Sequence, residues 1–224
     1  MRAIRLALLG LTAFAAAAAA GSMAGVAASA LFAIAYSAAA RRAGWLVSLL
    51  TGSVVFTLAA AALHALPLSA EPIALAGVYL AGVSVAVAAI IAIPRPAALE
   101  EAPPPPAWDL PARMIVATVL VLAITSAAPL LGPQLSGLIT TYPIYASVLG
   151  VFAHMQRGSG AATQVMRGLC YGILAFATFF LTIGMLVDRL GIAVAFPGAA
   201  AAALVVQALT LTRVRTRATP SPTG

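Results

Sequence analysis

The chain contains no lysine, one cysteine and five acidic residues. Charged side chains make up 8% of its 224 residues. A soluble domain carries roughly 25%, so this composition cannot clothe a water-facing surface. Cys170 has no partner for a disulfide, and the ligand set of a zinc or iron–sulfur site is missing. All 12 positive charges are arginines, and the formal net charge is +7. They lie singly or in pairs at the ends of apolar runs instead of on one polar face, which argues against nucleic acid as a partner. No Asp, Glu or Lys lies inside an apolar run to complete a proton relay. No nucleophile is paired with a base, so the sequence indicates neither an enzyme nor a cofactor.

What is abundant is apolar sequence, at 63% of residues. A spanning helix needs about 20 such residues. The pattern predicts an all-α, polytopic transmembrane helix bundle of about seven spans: Thr12–Ala40, Trp45–Leu66, Ile73–Ile93, Met114–Leu131, Leu135–Ala153, Gly168–Val187 and Ile192–Leu211. No segment alternates in the ~10-residue manner of a membrane barrel strand. Arg2, Arg5 and the tract through Ala20 imitate a signal peptide, but the apolar character continues to Ala40, so the segment reads as a retained helix. The chain thus divides into three N-terminal helices (1–93), a proline-rich linker (94–113), four further helices (114–211) and a tail (212–224).

Arginine in short loops sets orientation. Nine arginines (41, 42, 95, 113, 157, 167, 213, 215, 217) fall on one side and three (2, 5, 189) on the other, which places the C-terminus in the cytoplasm and the N-terminus outside. The linker holds Glu100, Glu101, the run Pro103–Pro106, Trp108 and Asp109. Consecutive prolines favour extended polyproline II, a semi-rigid spacer. Trp45 and Trp108 suit interfacial anchoring.

At an offset of 147 residues, Gly21 and Gly25 meet Gly168 and Gly172, Phe32 meets Phe179, and Arg42 and Gly44 meet Arg189 and Gly191. The first and sixth spans cross in opposite directions, as in an inverted-topology repeat. The four glycines also suit close helix packing. Under that offset the counterpart of the segment from Gly132 to Tyr145 would precede Met1, and the expectation is that two further spans once lay, or still lie, upstream.

The segment from Pro129 to Tyr145 concentrates the unusual residues. Pro129 and Pro133 are expected to mark a turn between the fourth and fifth spans, and Pro143 falls inside the fifth, where it frees carbonyls near Ile139. Gln134, Ser136, Thr140, Thr141, Tyr142, Pro143 and Tyr145 form the candidate site, with His154 about three turns on and on the same face as Pro143. Two readings stay open: a polar solute site around a broken helix, and a kink packed by its own hydroxyls. His64 and His154 are expected on opposite sides of the membrane and predict no shared metal site.

The run Ser136-Gly-Leu-Ile-Thr-Thr-Tyr-Pro143-Ile-Tyr145, then His154, the Arg157-Gly158 break and the glycine-rich sixth span, resembles the GlpM-type bacterial inner-membrane proteins over roughly Leu131–Met185. His154 stands about one helical turn later than in that pattern. The resemblance implies a small multi-helix protein of the bacterial inner membrane and little about chemistry. The function expected is binding or movement of a small neutral or weakly polar solute. The alternative is a non-catalytic accessory or scaffold subunit in envelope assembly, binding a membrane partner or its own copy through glycine faces. The lipid bilayer is a partner in either case.

Overall fold

A computed structural model describes residues 21–23, 25–65, 72–95 and 106–216. The signal-like stretch 1–20, residues 96–105 of the proline-rich linker and the tail beyond Thr216 lie outside the described residues. Every element among them is a helix: α1 (Gly21–Ala40), α2 (Trp45–His64), α3 (Pro72–Ala92), α4 (Asp109–Thr140), α5 (Ile144–Leu190) and α6 (Ile192–Thr216). Five of them (α1, α2, α3, α5 and α6) contain stretches long and apolar enough to cross a membrane. In hydrocarbon every backbone polar group must be satisfied within the chain, and a helix does so locally. Hydroxyls follow the same rule: Thr51, Thr57, Thr125, Thr163, Thr178 and Thr182 each donate to the carbonyl four residues back.

Helix ends have identifiable causes. Gly191, at φ 71°, ends α5, and its N–H closes on Val187 O at 3.0 Å. The last carbonyls of α3 are capped by Arg167 Nη1, which donates to Ile90 O at 2.8 Å and Ile93 O at 2.5 Å. A cation at a helix C-terminus also meets the negative end of its dipole. Within α5, Gly158 takes φ 79°, ψ −175°, which only glycine reaches without strain, and divides the helix into arms 144–157 and 159–190.

The core forms around α1. Phe32, Tyr36, Val26 and Ala33 of α1 are fully buried against Phe56 of α2, Ala86 and Ala89 of α3, and Met166 and Cys170 of α5. Two side chains sit in notches left by glycine: a Cβ at Gly52 would come within 2.9 Å of the Phe32 ring, and one at Gly150 would run into Met166. Of the α1 span, 65% is buried inside the protein, against 22% for α2 and α3 and 11% for α6. α1 is therefore the inner helix, and the others present apolar faces outward.

Three expectations change. Residues 129–140 are helical and belong to the 32-residue α4, so no turn interrupts the helical pattern at Pro129 and Pro133. The break falls later, at Thr141–Pro143, and Pro143 stands between α4 and α5 instead of inside one helix. Prolines in an apolar setting need not end a helix, since neighbours can satisfy the freed groups. Finally, α4 starts at Asp109, within the expected linker, because an acidic side chain favours the first turn of a helix.

Candidate functional site

Pro143 has φ −78° and ψ 65°, and Ile144 N donates to Tyr142 O at 2.8 Å. This is an inverse γ-turn centred on the proline. Tyr142, as the residue before proline, is biased away from helical backbone, which ends α4 here. α5 then begins at once: Ser147 N and Ser147 Oγ both donate to Pro143 O, at 2.8 and 2.9 Å.

The break is held by hydroxyls from other helices. Ser29 Oγ of α1 donates to Thr141 O at 2.7 Å, and the Tyr142 hydroxyl lies 2.8 Å from Ser53 Oγ of α2. The Tyr142 ring stands edge-on to Phe32 and Phe56, at centroid distances of 5.8 and 5.2 Å. A Cβ at Gly25 would run into Thr141, whose own Cβ would be 2.6 Å away. Ser53 lies near the middle of the Trp45–Leu63 span. This anchor puts the break at mid-depth of that candidate span.

The break opens onto a cavity of about 500 Å3. Its walls come from α1 (Val26, Ser29), α4 (Val121, Thr125), the residues 141–146, and α5 (Leu169, Gly172, Ile173, Phe176). Among the described residues, no charged side chain borders it. Thr125 and Thr141 both border this one volume, although residues 126–140 of α4 separate them.

Of the residues expected at the site, Thr141, Tyr142, Pro143 and Tyr145 come together at the cavity. The side chains of Gln134, Ser136 and Thr140 lie outside the described residues. His154 is displaced: it stands near the far end of the 144–157 arm, with Nδ1 3.5 Å from the Tyr36 hydroxyl, and does not border the cavity. The eleven residues of helix between Pro143 and His154 set them about 16 Å apart. Among the described residues no cluster of His, Cys, Asp or Glu could hold a metal.

Gly25 packs tightly, but on Thr141 instead of on a partner glycine. Gly168 and Gly172 have open space where a Cβ would go, and Gly172 forms part of the cavity wall. Ser29, Ser53 and Phe176 were not legible as site residues. A lone hydroxyl or phenylalanine in an apolar run carries no mark of its distant partner.

A second polar layer lies at the arginine-bearing end. Asp109 accepts from Gln156 Nε2 and pairs with Arg113 Nε at 2.9 Å. The Arg113 guanidinium lies 5.1 Å from the centre of the Phe152 ring, within cation–π range. Together with the Tyr36–His154 and Arg167–Ile93 contacts, these pairs gather the C-terminal ends of α1 and α3, the start of α4 and the Gly158 break at one end of the bundle. No protein family, curated protein or solved structure matches the chain.

Proposed function

We propose that this chain is a multi-pass protein of the bacterial inner membrane, of transporter-like build, that binds or moves a small neutral or weakly polar solute at the Thr141–Pro143 break without chemical conversion. The observation that carries the reading is a helix interrupted at mid-depth, opening onto an uncharged cavity. Irregular backbone at such depth is tolerated where it is buried in protein or lines a cavity. Solute sites of secondary transporters are built from such interrupted helices.

Three further features support it. A path in which residues 109–157 cross twice would make seven crossings. It would gather the ends carrying Arg41, Arg42, Arg95, Arg113, Arg157 and Arg167 on one side, the bias that a cytoplasmic C-terminus requires. The segments related by the 147-residue offset both flank the cavity, with Val26 and Ser29 on one wall and their counterparts Ile173 and Phe176 on another. Helix starts obey the offset too, since α2 begins at Trp45 and α6 at Ile192. The resemblance to GlpM-type proteins agrees with the proposed location.

The alternative, an accessory or scaffold subunit, draws on the outward apolar face of α6, where Leu204 and Leu209 are exposed. Purified protein in liposomes tests the two. Uptake of an uncharged solute, lost when the cavity is blocked by Gly172→Trp, is the expected result. A stoichiometric membrane-protein partner with no flux of any solute would favour the scaffold.

A further inference from the structure

We infer that the cavity is loaded sideways from the bilayer, and that its ligand is an uncharged, lipid-soluble amphiphile with an apolar body and a single hydroxyl- or carbonyl-type head. The inference rests on the reading of the break as a binding site, and adds the class of ligand and its route.

The mouth and the floor of the cavity differ in exposure. Tyr145 is 69% exposed and Phe176 41%, and Thr125 is exposed as well. Ile173 and Thr141, at 5% and 8%, form the closed side. The mouth therefore lies between α4 and α5 on the outer surface of the bundle. Because the break sits at mid-depth of the Trp45–Leu63 candidate span, this opening faces hydrocarbon and not water.

The aqueous route from the arginine-bearing end is filled. Met166 packs into the notch at Gly150, Tyr36 abuts His154, and Phe32 and Phe56 close around Tyr142.

The chemistry of the lining agrees. A charged ligand would meet no countercharge at a depth where charge is costly. The hydroxyls of Ser29 and Thr125 donate to Thr141 O and Val121 O and can only accept from a ligand. A polyol could donate to them, but most of its own oxygens would find no donor. Tyr145 is the exception: it borders the cavity, and its phenol has no partner among the described residues. A phenol without a partner in hydrocarbon is unfavourable, and one ligand hydroxyl or carbonyl would satisfy it. The volume, about 500 Å3, falls in the ~300–1,000 Å3 range of sites that enclose drug-sized ligands.

The test uses the full chain in phospholipid nanodiscs with three diazirine-bearing photoactivatable probes, a long-chain alcohol, a polyol and an alkane, and adducts located by mass spectrometry. The alcohol should label Tyr145, Ile173 and Phe176 roughly tenfold more than lipid-facing Leu204 and Leu209, a ratio equivalent to about 1.4 kcal/mol of preference. Gly172→Trp should remove that excess by filling the cavity. Thr125→Trp, at an exposed position on the mouth, should do the same and guards against a folding defect in the first variant. Tyr145→Phe should lower labelling by the alcohol but not by an alkane diazirine. Equal labelling of cavity and α6 by the alcohol, unmoved by both blocking variants, overturns the lateral route. Cavity labelling by the polyol alone would also overturn it while leaving the proposed solute site standing. If none of the probes reaches the cavity, the solute site itself falls.

Discussion

α1 and the 159–190 arm of α5 share a glycine spacing and a following Arg-x-Gly, 147 residues apart, and both lie against the same break, yet they pack in opposite ways. On α1, Gly25 is pressed by Thr141 and Ser29 ties down the Thr141 carbonyl. On the arm, Gly172 faces open volume, and Phe176, the counterpart of Ser29, stands partly exposed at the mouth. One copy of the pattern closes on the broken helix and the other leaves a space beside it. A glycine pair therefore specifies only that something can approach. What approaches depends on the neighbouring element.

The sharpest way to break the comparison is Gly25→Leu. A side chain there displaces Thr141 and the inner helix together, so the loss should reach or exceed the ~3 kcal/mol upper range of core overpacking. Thermal unfolding in detergent measures it, and wild-type stability would refute the tight contact. Ser29→Ala removes the donor to a buried carbonyl and should cost about 1–3 kcal/mol. Restoration by Ser29→Thr, which keeps the hydroxyl, would separate the hydrogen bond from packing.

Pro143→Ala is expected to lower stability by about 0.4–1 kcal/mol, since the ring restricts the unfolded chain at a compatible φ. An unchanged melting temperature with lost solute binding would assign the proline to the cavity's shape instead. The smallest effect belongs to Gly172→Ala. With room for a Cβ, it should be neutral or stabilise by up to about 1 kcal/mol, the helix-propensity difference. Destabilisation as large as that of Gly25→Leu would mean that the space beside the arm is filled, and the asymmetry would disappear.

The elements of the site differ in how far they could be read. Thr141, Tyr142, Pro143 and Tyr145 were legible because proline and clustered hydroxyls are rare in apolar helices and each has a local consequence for the backbone. The break itself follows from Pro143 and the residue before it. The expected turn at Pro129 and Pro133 was misplaced as a loss of helix, because prolines in an apolar setting need not interrupt the helical pattern. His154 was assigned to the site by sharing a helix face with Pro143, but a shared face does not bring together residues separated by three turns. Ser29 and Ser53 were missed because their partners lie 112 and 89 residues away along the chain.

By itself the sequence determined the helical, membrane-length build, the interruption of helix at Pro143 and the segregation of arginine to helix ends. Each of these follows from local chemistry: hydropathy summed over a span, the missing proline donor and the cost of burying charge. Tertiary structure alone decided that α1 is the inner helix, that Ser29 and Ser53 hold the break, and that a cavity lies beside Gly172. Helices such as α2, α3 and α6 are apolar all round, so no stripe marks the face that meets a neighbour. Lipid covers any apolar face equally well, and the choice among faces is made by the fit of glycine notches to side chains and of hydroxyls to freed carbonyls.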